Sequence, residues 1–185
     1  MKKWLGLSFL FLIIFTQLSL AGDHSYLAFL LDKSKTLSSR EEMAEKISTR
    51  PDSLILLREI LNYKEYPDLE ERIRVVALKS MLRSKTDGLE NLLVEIIEID
   101  LKELAKAGAM APFLDDHPSG SAIAAIALGE FHSEKTLEAL KSLVQAKWSY
   151  TAQIAATSLK KIDGRCPKLI TFLKVKGKVL SRASP

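Results

Sequence analysis

Apolar residues along this chain recur with the spacing of helices, not of strands. In residues 120–131, Ala124, Ala127, Leu128 and Phe131 fall at i, i+3, i+4 and i+7, which places them in one stripe on a helix. Leu137, Leu140, Leu143 and Val144 form a similar stripe in residues 134–146. Alternation of Val, Ile and Thr is nearly absent, so nothing reads as a strand. Apolar period and breaker positions together predict helices near 38–48, 52–62, 68–84, 88–106, 120–131, 134–146, 151–162 and 166–175. Residues 23–35 add a short one through Tyr26, Leu27, Phe29, Leu30 and Leu31. Pro51 with Asp52 and Pro67 with Asp68 read as helix starts, since Pro or an acid suits the free N–H groups of a first turn. Ser133-Glu134 opens another helix, Ser119 or Ser121 caps the one that follows it, and Cys166-Pro167 opens the last. Thr86-Asp87-Gly88 and Asp163-Gly164 read as turns.

The pattern also repeats at longer range. Ala124, Ala127, Leu128 and Phe131 recur as Ala155, Ser158, Leu159 and Ile162, each at an offset of 31. A helix-sized apolar pattern returning at that distance predicts stacked helical hairpins. Only Gly129 to Ser133 separates the stripes of 120–131 and 134–146, so these two helices are expected to fold back antiparallel. The alanines let the first helix approach its partner and the next hairpin closely. Ala77-Leu78 aligns with Ala127-Leu128 at a spacing of 50, the excess being taken up by a longer second helix and the loop 108–120. Residues 40–62 are placed as a fourth, capping hairpin, terminal repeats being atypical because one face lacks a neighbour.

The strings AIAAIALGEF and AQIAATSLKKI, with TLEALKSLV between them, resemble HEAT repeats, most closely the short bacterial variety also found in phycobilisome lyases. The first helix of that repeat reads roughly V-R-x-A-A-x-A-L-G-x-I. Ala124, Ala125, Ala127, Leu128 and Gly129 match one copy, Ala155, Ala156, Leu159 and Ile162 a second, and Arg72, Ala77 and Leu78 a third. The resemblance covers residues 119–163 clearly and 69–98 fairly, and fades before residue 64. It implies an α-solenoid that serves as a protein-binding platform, its second helices lining the concave face. The motif arginine survives only as Arg72; Ala122 and Gln153 stand in the other copies, and Lys160 replaces the glycine of the last. An Asp–Arg ladder between repeats is therefore not expected, and stacking should rest on apolar contacts.

Residues 1–21 read as a secretory signal peptide: Lys2 and Lys3, an apolar run from Leu5 to Phe15, then Ser19-Leu20-Ala21 before Gly22. The uninterrupted apolar run falls short of the roughly 20 residues a membrane span needs, so removal is favoured over an uncleaved anchor. The expected organisation is a leader over 1–21, a helical-repeat domain over 22–175 and a basic tail over 176–185. Export places the chain in a periplasm or outside the cell. Cys166 is the single cysteine, so no internal disulfide forms and the fold stands on packing alone. Residues 22–164 hold 19 Lys or Arg against 23 Asp or Glu, whereas residues 165–185 carry six cations and no acid. Such a tail suits weak contact with an anionic surface, but a solvated terminus is the favoured account of it; nucleic acid is not expected as a partner.

Candidate chemistry is sparse. Of the histidines, none forms a His-Glu pair on a helix face, as the di-iron enzymes built from HEAT repeats require. Asp115, Asp116 and His117, with His132, offer cation ligands, although Asp and His before Pro118 also suit a turn. Cys166 sits at a predicted helix N-terminus beside Arg165 and Lys168, which lowers a thiol pKa, but no histidine stands near it in sequence as a base. A metal- or thiol-dependent enzyme or accessory factor using these five residues is the alternative function, and it requires them to converge in one pocket. The leading expectation is a non-enzymatic interaction module with no cofactor, no catalytic residues and no bound metal. Glu138, Lys141 and Gln145, opposite the apolar stripe of 134–146, are its candidate partner contacts, joined by Trp148 and Tyr150 in the following turn. Nothing in the sequence names the partner.

Overall fold

The structure, a computed structural model, describes residues 25–107, 119–146 and 150–163. Every regular element among the described residues is helical. In chain order these are α1 (residues 25–31), α2 (Leu37–Glu45) running into a 3-10 turn at Lys46–Thr49, α3 (Ser53–Ile60), α4 (Glu71–Arg83), α5 (Leu89–Ala107), α6 (Gly120–Leu128), α7 (Glu134–Ala146) and α8 (Tyr150–Asp163). The expected helix at 166–175 and the loop 108–118 lie outside the described residues.

Local chemistry sets most of the boundaries. Thr36 caps α2 by accepting from the Ser39 amide at 3.2 Å, and Ser133 caps α7 through the Thr136 amide at 3.2 Å. Ser119 occupies the cap of α6 with extended backbone, but its hydroxyl pairs with that of Ser121 at 2.8 Å instead of an amide. The turn before α5 needs positive φ, supplied by Lys85 at 52° and Gly88 at 80°. Two expectations are corrected. Pro67 and Asp68 do not begin a helix: α4 starts at Glu71, with Glu70 in extended backbone at its cap. The cause is Arg74, whose guanidinium takes the carbonyls of Ile60, Tyr66 and Leu69 and so holds residues 61–69 as a folded loop. Likewise α6 stops at Leu128, leaving Phe131 half-buried in the connection and not on the helix.

Contacts between helices follow a regular order. α2 packs on α4, α4 touches α6, and α6 packs on α8; α3 packs on α5 and α5 on α7. Between these two sets, α5 packs closely on α6 and α7 on α8. The fold-back expected for α6 and α7 therefore corresponds to one of the loosest of these pairings: α6 meets α7 at few points and α5 and α8 at many. Ala122, Ala124, Ala125 and Ala127 are all buried on α6, and side chains that small let helices approach it on more than one side.

Side-chain bridges fix direction and register. Arg40 pairs with Glu70, Glu41 with Arg72 and Glu45 with Arg83, so α2 and α4 run the same way. Leu54 lies beside Gly88, Arg58 pairs with Glu95 and Lys64 with Glu103, which sets α3 parallel to α5. Ser133 and Thr136 donate to Glu90, joining the N-terminal ends of α7 and α5. Lys161 pairs with Glu130 just beyond the C-terminal end of α6. Carboxylate–cation pairs thus join α2–α4, α3–α5, α5–α7 and the end of α6 to α8, each of them a glutamate with an arginine or lysine and none an Asp–Arg pair. Most are exposed and worth about 0–1 kcal/mol each, so they set register while burial supplies stability.

That burial is continuous along the chain. Leu30, Leu56, Leu57, Ile60, Ile73, Met81, Leu93, Ile97, Leu128, Leu140, Leu143 and Leu159 are all fully buried in one cluster, each contributing about 1.5–3 kcal/mol. Ala124 and Ala155 meet the same core with no exposed surface. Gly120 marks the closest approach, since a Cβ there would stand 2.6 Å from the Leu61 carbonyl oxygen.

Candidate functional site

On α7, Thr136, Ala139, Leu140, Leu143 and Val144 are buried. The opposite face carries Glu138 and Gln145 exposed and Lys141 half-exposed, as the apolar stripe requires. Of the other two candidates, Tyr150 begins α8, with only its backbone described, and Trp148 lies outside the described residues.

α7 does not act alone, because α5 lies beside it and α3 beside α5. α5 buries Leu92, Leu93 and Ile97 and exposes Asn91, Glu95, Glu98, Ile99 and Lys102. α3 exposes Ile55 and Arg58. Ile55 and Ile99 are 60% and 46% exposed, high for isoleucine, while Arg58 and Glu95 bridge the helices between them. The α3–α5–α7 side therefore presents a polar surface with apolar side chains set into it. Sequence reasoning named only its α7 part. The α5 part was readable as the complement of Leu92, Leu93 and Ile97; the exposure of Ile55 and Ile99 was not, because an isoleucine near an apolar stripe is counted into it.

At the N-terminal end of this surface, Glu90 is largely enclosed. Burial pushes its carboxyl pKa up, but hydrogen bonds from Ser133 and Thr136, with the Lys135 charge 3.7 Å away, outweigh that and hold it below the usual range. Glu90 is therefore anionic at neutral pH and anchors the start of α7.

The other side of the molecule carries an open groove of about 440 Å³ between α2 and α4, walled by Glu42 and Glu45 on one side and Lys79 and Arg83 on the other. Arg72–Glu41 and Arg83–Glu45 pairs already tie its walls together. Its acids and bases neutralise each other, and no catalytic constellation arises.

Two arginines are buried, which sequence reasoning did not anticipate. Arg74 is fully buried, lies over the Tyr63 ring at 3.9 Å and donates to three carbonyls. Desolvation lowers its pKa, and the Tyr63 hydroxyl is pushed up by the same burial. Arg40, 5% exposed, reaches the Leu30 carbonyl and both oxygens of Glu70. Both hold backbone in place and neither faces an open cavity. A hint of their role was available in the apolar stripe of α4, which Arg74 interrupts between Ile73 and Ala77.

Of the residues of the alternative chemistry, only one is among the described residues. Asp115, Asp116, His117 and Cys166 lie outside the described residues, and His132 stands exposed between α6 and α7. Among the described residues no group of three or more His, Cys, Asp or Glu is placed to hold a metal ion. Among them, too, no helix is long and apolar enough to cross a membrane. Comparison with protein-family models, curated proteins and solved structures finds no match to this chain.

Proposed function

We propose that this chain is a short HEAT-like α-solenoid that works without catalysis, after export, by holding a protein or peptide partner against its α3–α5–α7 side. The observation that carries this reading is the parallel run of alternate helices. α3, α5 and α7 are held in register by Arg58–Glu95 and by the Glu90 contacts to Ser133 and Thr136, and they share one rigid exposed surface. A surface with half-exposed isoleucines inside a rim of charged and amide side chains has the anatomy of a binding patch: an apolar centre supplies affinity and the rim supplies selectivity. Glu138, Lys141 and Gln145 form the α7 part of that rim, and Ile99 lies on the helix beside it. Rigid display of this kind needs no titratable centre with a matched pKa, which agrees with carboxylates held ionised for structural ends.

The test is site-specific photocrosslinking in the native cell, with the probe placed in turn at Glu138, Gln145 and Ile99, and at Lys79 in the α2–α4 groove as the control. One defined adduct appearing at the first three positions and not at Lys79 is the expected result. Equal labelling at all four positions, or none at any, overturns the proposal. The N-terminal sequence of the recovered protein tests export in the same experiment: a chain beginning at Gly22 is expected, and one retaining Met1 overturns leader removal.

A further inference from the structure

The two sides of the helix array differ in charge. Across α3, α5 and α7 stand eight Asp or Glu against five Lys or Arg, whereas α2, α4, α6 and α8 carry five against seven. Most of the acid excess comes from α5, which holds five carboxylates and two lysines over Leu89–Ala107. Glu95 is matched by Arg58 and Glu90 by Lys135. Glu98, Glu134 and Glu138 are exposed and make no ion pair among the described residues. Ile55 and Ile99 are set into the same side. An occupant that carries cations and apolar side chains together is complementary to such a surface.

A segment of that kind follows α8 in the chain. Residues 165–185, outside the described residues, hold six cations and no acid, with Leu169, Ile170, Phe172, Leu173, Val175 and Val179 among them. The end of α8 lies close to the start of the acidic side. Lys161 pairs with Glu130, just short of the α7 cap Ser133, and Ser133 donates to Glu90 at the start of α5. Fully extended, a segment of this length reaches up to roughly 70 Å, against about 28 Å for the whole of α5. We propose that this basic tail lies on the α3–α5–α7 side of its own chain, its cations against Glu98, Glu134 and Glu138, and competes there with the partner. The competition rests on the reading of that side as the binding surface. Tethering holds the tail at an effective concentration of about millimolar, so a contact too weak to form between separate molecules still keeps the surface occupied. A partner that displaces the tail must present cations and apolar side chains of its own, which gives its class: a basic, partly apolar segment of another protein.

Photocrosslinking of the purified full chain, with no partner present, tests this. The probe is placed in turn at Ser142 on α7, Ile99 on α5 and Thr157 on α8, all exposed. Thr157 belongs to the opposite set of helices yet stands only six residues before Asp163, so an undocked tail labels it at least as strongly as Ile99. Adducts to residues 165–185 at Ser142 and Ile99, at least about threefold above Thr157 and at the mass of one chain, are the expected result. Raising salt from about 0.02 M to about 0.5 M, or combining Lys174→Gln, Lys176→Gln and Lys178→Gln, is expected to cut them about threefold or more, because either change removes the attraction. Labelling of Thr157 equal to that of Ile99, or adducts unmoved by salt and by the triple variant, overturns the docking. Adducts at twice the chain mass assign the surface to the tail of a second copy and overturn docking on the same chain. A partner adduct in the cell without a tail adduct in the purified protein sinks the tail alone. A tail adduct without any partner adduct sinks the partner reading and leaves the docking standing.

Discussion

The two halves of this molecule join neighbouring helices by opposite means. Around α2 and α4 the joints are directed and polar: Arg40 gathers Leu30 and Glu70, and Arg74 gathers the carbonyls of Ile60, Tyr66 and Leu69. Between α6 and α8 the joint is shape. Ala124 and Ala155 are fully buried, and a Cβ at Gly129 would meet Ser158 at 3.4 Å. A polar joint fails when one partner is deleted, because buried carbonyls keep their need for a donor. A joint of small residues fails when a side chain is enlarged, because close-packed helices have nowhere to move. Similar helix geometry thus makes opposite demands on sequence in the two halves.

The severest break belongs to the polar half. Arg74→Ala removes a fully buried side chain together with its donors to the Ile60, Tyr66 and Leu69 carbonyls, and is expected to cost about 3–5 kcal/mol in urea denaturation. Arg74→Met, which refills most of the volume, is expected to recover only the packing share and to remain at least about 2 kcal/mol less stable than the parent. Full recovery by methionine would mean that the carbonyls find water, and that Arg74 acts here as bulk.

The shape half should respond in the other direction. Ala155→Leu adds volume to a site with no exposed surface, and about 1–3 kcal/mol of destabilisation is expected from the same denaturation measurement. Ala155→Gly removes one methyl group and adds backbone freedom, and should cost less, about 1 kcal/mol. If glycine proves worse than leucine, the α6–α8 joint is not close-packed and the contrast between the halves collapses.

This contrast also explains what could be read from the sequence. Small-residue packing leaves a linear trace, since alanines at i, i+1 and i+3 mark a helix that neighbours approach, and the offset of 31 relates the α6 and α8 stripes. Helix positions, the burial of Leu128 and Leu159 and the outward face of α7 all followed from period alone. Directed polar joints leave no such trace. Arg40 and Arg74 look like two more surface cations among 27, and their acceptors lie five to 30 residues away, four of them backbone carbonyls that any residue supplies. The start of α4 was misplaced for that reason: Pro67-Asp68 is a sound local signal for a helix start, and Arg74 overrides it by holding the preceding loop. The pairing of α6 with α7 was overestimated because a short connection limits how far two helices can separate without requiring their faces to meet.

Glu90 qualifies the contrast and carries the smallest expected effect. It is a polar joint outside the N-terminal half, binding the start of α7 to α5 through Ser133 and Thr136, yet its carboxylate remains 23% exposed. Glu90→Gln keeps an oxygen to accept from both hydroxyls and removes only the charge facing Lys135 and the α7 N-terminus. About 1 kcal/mol is the expected loss at pH 7, after allowance for solvent screening. Hydrogen bonds and the nearby cation hold the folded-state pKa below the unfolded one, despite burial. The stability Glu90 lends is therefore fully present above the unfolded carboxylate pKa and drains away as pH falls through the lower folded value. Thermal melts of parent and variant should differ at pH 7 and converge near pH 3. A difference that persists unchanged at pH 3 would assign the loss to hydrogen-bond geometry, placing Glu90 with Arg74 among the joints that depend on direction more than on charge.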